Sequence, residues 1–314
     1  MSRDKILVTG ASGLIGSALV KLLVEQKRDV LPTARRSIGL LTQEFGVACS
    51  ELDVMRDLPD LKGIETIVHC ATPNNIQSQE EDGGLPLAVM GTHRLLKKAA
   101  MEGVKRVVYL STIQVYGTEL RGDIDETTPV NCETVYGLNH FLGEEVCRHI
   151  AQTSGLDIVA LRPSNVYGVP SVSTVDRSTL VPTCFVNEAF VTGKIRLHSS
   201  GRQMRNFIST DELALAIAQL IDNFPRGYTV VNAASLWGAR ICDIAEMVGH
   251  TWQVLRESPL EIQVLSDKPE DPGEFTFTSR HLSPTLSKEA SRRRMTEVIT
   301  CLIETKSGIK VRSA

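Results

Sequence analysis

The segment Lys5-Ile-Leu-Val-Thr-Gly-Ala-Ser-Gly-Leu-Ile-Gly16 constrains the fold of this chain more than any other. An apolar strand pattern runs into a turn of small residues, and an apolar helix pattern follows at once. The chain must turn sharply at Gly10, leave bare backbone at Gly13, and seat the start of a helix against the strand at Gly16. A side chain would obstruct each step, and the helix-terminal N–H groups then face an anion. Glycines at this spacing are common by chance. Placed directly after a strand and opening a helix, they read as a cradle for a dinucleotide pyrophosphate.

Strand and helix patterns alternate through the first half of the chain. Apolar runs at 6–8, 30–33, 47–52, 66–70, 107–110 and 158–161 read as buried strands, with helices at 14–25, 86–102 and 135–152. Such alternation predicts a parallel sheet covered by helices on both faces. Right-handed crossovers make it an α/β, Rossmann-type doubly wound sheet that takes ligands beyond its strand C-termini. After Arg162 the character changes. Pro163, Pro170 and Pro182 punctuate a Ser/Thr/Val-rich stretch that reads as a loop. Helices are expected at 182–191 and 211–222, a strand at 228–232, a turn-rich boundary from Pro269 to Gly273, and a final helix at 287–305. This divides the chain into a dinucleotide-binding domain, 1–166 plus 208–237, and a smaller substrate-binding lobe, 167–207 plus 238–314.

With 314 residues, 42% hydrophobic and 23% charged, the chain can bury a large core. A net charge of −3 without a basic stripe gives no footprint for nucleic acid. No apolar run reaches the ~20 residues of a bilayer span. Met1-Ser-Arg-Asp-Lys leads straight into the first strand, so neither a membrane partner nor a secretory leader is expected. The seven cysteines form no Cys-x-x-Cys pair and no Cys/His cluster. That argues against a bound metal or a disulfide frame and for a cytoplasmic setting.

The second strand addresses the cofactor. An acid that reads the ribose 2′-hydroxyl is expected at its end, but Asp29-Val-Leu-Pro-Thr-Ala-Arg-Arg36 places Ala34, Arg35 and Arg36 there. Two guanidiniums without a carboxylate suit a 2′-phosphate, which favours NADP, with NAD as the alternative. Asp53, after the third strand, reads equally as an acceptor for the adenine amino group or as a turn residue.

The fifth strand ends in Tyr109-Leu-Ser-Thr-Ile-Gln-Val-Tyr-Gly117, and Thr134-Val-Tyr136-Gly-Leu-Asn-His140 opens a helix downstream. With Gly10/Gly13/Gly16, His69-Cys-Ala71, Leu161-Arg-Pro-Ser-Asn-Val-Tyr-Gly168 and Gly201-Arg-Gln-Met-Arg-Asn-Phe-Ile208, these segments resemble the extended short-chain dehydrogenase/reductase family, in its nucleotide-sugar branch. The resemblance implies a proton-transferring phenol at Tyr136, an oxygen-holding hydroxyl at Thr112 beside Ser111, and His140 as their partner. A tyrosine can do acid–base work once its pKa falls from ~10 toward working pH, and a neighbouring hydroxyl steadies the developing oxyanion. It also implies a dinucleotide contacted by Gly10, Ser12, Gly13, Leu14, Ile15, Gly16, Arg35, Arg36, Asp53, Val54, Cys70, Ala71, Tyr136, His140 and Pro163. The substrate would meet Asn165, Arg205 and Arg280, with Arg205 at its diphosphate and Arg202 as a further candidate.

Three departures from the family pattern matter. Where the family has Tyr-x-x-x-Lys, this chain has His140, a mostly neutral ring at pH 7 in place of a permanent cation. Slowed turnover or a lower pH optimum, another cation in the lysine's role, and binding without competent chemistry all stay open, beside normal turnover with histidine. Members that dehydrate sugars carry Asp-Glu after the active Thr. Ile113 and Gln114 stand here, so elimination is not expected. The usual Leu-Gly-Trp segment near the last helix is absent too. The leading expectation is an NADPH-dependent keto-sugar reductase. The alternatives are a nucleotide-sugar epimerase that retains its cofactor, or a dinucleotide-binding regulator whose catalysis has lapsed. A homodimer paired through the 86–102 and 135–152 helices is a further family expectation.

Overall fold

The computed structural model describes residues 4–56, 58–172, 179–266 and 273–308. Its strands are β1 (Lys5–Thr9), β2 (Val30–Ala34), β3 (Ser50–Glu51), β4 (Ile64–His69), β5 (Arg106–Leu110), β6 (Gly122–Ile124), β7 (Asp157–Pro163), β8 (Asn165–Tyr167), β9 (Lys194–Leu197), β10 (Met204–Ser209), β11 (Tyr228–Ala233), β12 (Gly238–Arg240), β13 (Glu261–Val264) and β14 (Phe275–Phe277). The helices are α1 (Leu14–Glu25), α2 (Ile38–Phe45), α3 (Thr92–Met101), α4 (Val135–Ser154), α5 (Thr183–Thr192), α6 (Thr210–Asp222), α7 (Ile241–Arg256) and α8 (Lys288–Ser307). Seven strands form one sheet in the order β3-β2-β1-β4-β5-β7-β11, and every neighbouring pair in it is parallel. Strand order reverses between β1 and β4. The crossovers diverge there and leave a crevice at the strand C-termini, where doubly wound sheets take their ligands.

The middles of the central strands are mostly apolar because both of their faces are covered. Ile6 and Val8 pack with Leu19, Leu23, Leu213 and Ile217 on one face. Leu7 points the other way and joins Ile67, Val107, Leu95 and Leu96. Helix α4 lies against the second face, and Gly143 brings it close. A Cβ at that position would run into the Tyr109 hydroxyl. A separate apolar core, with Tyr167, Phe185, Phe207, Trp237 and Trp252, unites α5, α7, α8 and the β8–β10–β12 sheet.

Several expectations need correction. The third strand shrinks to Ser50–Glu51 because it is an edge strand that pairs only with Thr33 and Ala34 of β2. Residues Pro86–Gly91 wind as a π-helix before α3 takes over. There Gly91 lies so close to Val54 and Met55 that a Cβ would come within 2.8 Å of a Val54 methyl. Pro163, read as the start of a loop, completes β7 opposite Ala233. The proposed cuts at 166/167 and 207/208 fall inside β8 and β10, which pair with each other. Helices α2 and α7 add to the expected set, and Ile244, Ala245, Val248 and Trp252 of α7 are buried at helical spacing. The boundary at Pro269–Gly273 lies outside the described residues except for Gly273. Among the described residues, no helix is long and apolar enough to cross a membrane.

Candidate active site

The glycine turn connects β1 to α1. Gly10 sits at φ +67°, and a Cβ there would come within 2.9 Å of the Cys70–Ala71 backbone at the end of β4. A Cβ on Gly16 would strike the Gly10 carbonyl. Both glycines are therefore demanded by the chain's own packing. Gly13 caps α1 without a side-chain hydrogen bond, and the first turn carries no acid. The open N–H groups and helix dipole at this point suit an anion.

Two adjoining cavities flank this turn. One, of about 400 Å³, is bounded by Ser12, Ala34, Arg35, Arg36 and Val54. The other, of about 320 Å³, is bounded by Thr112, Tyr136, His140, Asn165 and Arg205. Gly10, Gly13, Cys70 and Thr72 belong to both, so the two form one cleft across the β1/β4 switch. Of the site residues expected from sequence, all but Asp53, Arg202 and Arg280 line it. Asp53 accepts from the Met55 N–H at 3.0 Å and pairs with Arg56. Arg280 pairs with Asp125 at 3.2 Å. Arg202 is exposed and lies outside the cleft.

Local structure positions the catalytic candidates. Thr112 lies two residues beyond β5 and caps the short turn Ile113–Tyr116, its hydroxyl accepting from the Gln114 N–H. Thr134 caps α4 by accepting from Gly137 N–H at 3.0 Å. Gly137 is pressed on the Gln114 carbonyl, where a Cβ would come within 2.6 Å. The start of α4 is thereby fixed against the turn that follows Thr112. Four-residue spacing then puts Tyr136 and His140 on one face, with their rings edge to face at 4.6 Å.

His140 is 2% exposed. Its Nδ1 lies 3.1 Å from the Leu110 carbonyl. A carbonyl only accepts, so Nδ1 carries the ring proton and Nε2 presents a lone pair. Nε2 is buried and has no hydrogen-bond partner. Burial holds the His140 pKa down at about 4, although the Leu110 and Pro73 carbonyls favour the charged ring. The ring is therefore neutral near pH 7. His69, at the end of β4, is also held at about 4, by burial first and by His140 second.

On the far wall stands Arg205. Burial lowers its pKa against the opposing charge of Glu119, and its Nη1 donates to the Met204 carbonyl at 3.2 Å. Among the described residues no carboxylate forms a direct ion pair with it, Glu119 acting on it only through space, so a half-buried cation faces the cleft. Asn165 is tied to the Asn206 carbonyl at 2.9 Å. Sequence reasoning missed Thr72–Asn75, Gln114, Ser164 and Thr179–Val181, which also line the cleft. The Ser164 hydroxyl is buried without a partner. Asn139 anchors the Thr72–Asn75 side by donating to the Ser78 hydroxyl and the Gly83 carbonyl. Loops contributed from separate parts of the chain leave no periodic signal by which to find them.

A glycine cradle that Cβ atoms would fill and an orphaned imidazole nitrogen beside a tyrosine together fit a dinucleotide. Fold and site define a Rossmann-type oxidoreductase of the short-chain dehydrogenase/reductase kind. The chain belongs to the NAD dependent epimerase/dehydratase family, whose profile matches residues 6–234. It is 28% identical over 221 residues to a putative UDP-glucose 4-epimerase of Methanocaldococcus jannaschii, covering 67% of this chain and 71% of that one. It is 27% identical over 269 residues to a dTDP-4-dehydro-6-deoxy-D-allose reductase of a Streptomyces species, covering 80% and 81%. Its fold matches that of MoeE5 in complex with UDP-glucose and NAD, with a TM-score of 0.78, 22% identity, and coverage of 98% and 100%.

Proposed function

We propose that the protein is a nucleotide-sugar epimerase. The observation that carries this reading is one continuous cleft joining the glycine cradle, Tyr136 with Thr112, and the half-buried Arg205. Bound there, a dinucleotide supplies a nicotinamide ring that takes and returns hydride. Tyr136 takes the proton of a sugar hydroxyl and later gives it back. Thr112 holds that oxygen by hydrogen bonding while its charge develops. His140, protonated at Nδ1, accepts at Nε2 from a ribose hydroxyl. Arg205 grips the diphosphate with its planar fork, and Asn165 flanks the sugar. Ile113 and Gln114 supply no acid–base pair, so the keto sugar is reduced again and not dehydrated. The M. jannaschii relative supports epimerisation as the reaction.

A second reading, keto-sugar reduction with exchangeable NADPH, is favoured by one observation. Arg35 and Arg36 are exposed at the end of β2 beside the cleft, and no carboxylate follows the strand. The Streptomyces relative, named as a reductase, supports it. We also propose a homodimer through α3, α4 and the π-helical turn, where Met90, Val135 and Leu138 are exposed.

Incubation of the purified protein with UDP-glucose, followed by proton NMR, should yield UDP-galactose without added cofactor or with catalytic NAD. Failure to epimerise UDP-glucose or any of a panel of UDP-, dTDP-, GDP- and CDP-sugars, together with NADPH consumption on a 4-keto sugar, would establish the second reading. Titration separates the cofactors. If the arginines read a 2′-phosphate, Arg35→Ala with Arg36→Ala should weaken NADP about ten-fold or more and leave NAD within about two-fold. Equal effects on both cofactors, or none, would remove the argument for NADP.

A further inference from the structure

Glu144 lies one turn beyond His140 on the face of α4 that carries Tyr136. It is 1% exposed. Its Oε1 accepts from the Ser111 hydroxyl at 2.5 Å and from Arg162 Nε at 2.8 Å, and its Oε2 accepts from Arg162 Nη2 at 2.5 Å. Ser111 and Arg162 are each 4% exposed. The guanidinium stacks over Tyr116 at 4.8 Å, and the Tyr116 hydroxyl donates to Asn232 at 2.9 Å. One carboxylate thus ties the end of β5, the end of β7 and the middle of α4 together, directly behind the cleft. A buried pair of this kind is weak evidence for stability, since apolar replacements of similar volume often do as well. The contact to Ser111 has a chemical consequence that apolar packing would not have.

A serine hydroxyl owns one proton. With that proton given to Glu144, Ser111 can offer the cleft only lone pairs, although it lines the same cavity as Thr112. Thr112 accepts from a backbone N–H, so its own proton stays free to donate. We propose that Glu144 is a positioning residue that clamps Ser111 as a donor, leaving Thr112 as the hydroxyl that holds the substrate oxygen and fixing its strand end against Tyr136. This rests on the epimerase reading for its assay but not for its geometry. Misplacement of a reacting group by about 1 Å can cost ~10²-fold in rate, so loss of the clamp should cost turnover even where the fold survives.

The test uses full-length protein and three readouts: kcat and KM on UDP-glucose, the dissociation constant for NAD, and the proton NMR resonance of the Ser111 hydroxyl, which burial should protect from exchange. Ser111→Ala keeps the ion pair. Glu144→Leu with Arg162→Met removes the charges together and keeps an apolar core. Each should lower kcat about ten-fold with KM and NAD affinity within about two-fold, and the triple variant should be no slower than either. Glu144→Gln still accepts from Ser111 and should hold kcat near the parent value despite a lower melting temperature. Wild-type kcat in Ser111→Ala, or multiplying effects in the triple variant, would overturn the clamp. Should the Leu/Met pair fail to fold, Ser111→Ala against Glu144→Gln decides alone. The hydroxyl resonance separates the two levels of argument. Its absence from the wild-type spectrum sinks the clamp, whereas its presence in a protein inert toward every sugar nucleotide sinks the epimerase reading and leaves the clamp standing.

Discussion

Tyr136→Phe should lower kcat by about 10²–10⁴-fold, the range that a positioned acid–base group contributes, with NAD binding unchanged. The phenol is the acid–base group of the cleft that the mechanism uses. The neighbouring ring of His140 lies 4.6 Å away and holds its proton on Nδ1, bonded to the Leu110 carbonyl, so it has no second proton to lend at neutral pH. The phenyl ring keeps the packing and removes only the oxygen. The comparison that gives this result its meaning is His140→Lys, which adds the permanent cation that the family pattern carries. A cation beside a phenol favours the phenolate. The pH at which kcat reaches half its maximum should therefore move down by about one unit or more in that variant. An unaltered pH–rate profile would mean that the histidine was never an electrostatic handicap. Retained turnover in Tyr136→Phe would remove Tyr136 from the mechanism altogether.

Acid should destabilise this protein steeply between pH 6.5 and about 4. His69 and His140 both have folded-state pKa values lowered from 6.5 to about 4. In that window the unfolded chain binds protons that the folded chain refuses, so unfolding becomes easier as pH falls. The stability held by the neutral rings is fully present above pH 6.5 and is lost on the way down to about 4. At about 1.4 kcal/mol per unit, each histidine accounts for about 3 kcal/mol, a large share of the 5–15 kcal/mol that holds a typical domain together. The two rings repel when both are charged, so their effects couple. Urea midpoints at pH 7 and pH 4.5 measure the loss. His140→Gln should shrink the difference between those midpoints by about 2 kcal/mol once converted to free energy. A difference that persists unchanged in both His140→Gln and His69→Gln would show that carboxylates, and not these rings, set the acid sensitivity.

Much of this site was legible in one dimension because its key spacings are local. The glycine turn, the run from Leu110 to Thr112, and Tyr136 with His140 each depend on residues a few positions apart, and backbone geometry converts such spacings directly into a turn, a strand end or a helix face. The α1 helix matched its expected span of Leu14–Glu25 for the same reason. The edge strand β3 was overread because an apolar run says nothing about how many neighbours will pair with it. Helix α7 shows the opposite case, since its buried residues do recur at helical spacing in the sequence.

Residue order determined the alternation of strand and helix, and with it the parallel sheet, the crevice at its switch point, and the phenol and hydroxyl brought to that crevice. Tertiary packing alone decided the protonation of those groups. His140 became a neutral acceptor because the Leu110 carbonyl, thirty positions away, accepts a hydrogen bond from its one ring N–H and the surrounding core excludes water. Ser111 became a committed donor because Glu144, Arg162 and Tyr116 converge behind it from three separate elements. Arg205 has no direct ion pair among the described residues, because the chain brings Glu119 near enough to act on it only through space. Charge and hydrogen-bond direction depend on burial and on which distant group arrives first, and neither is written in the spacing of neighbours along the chain.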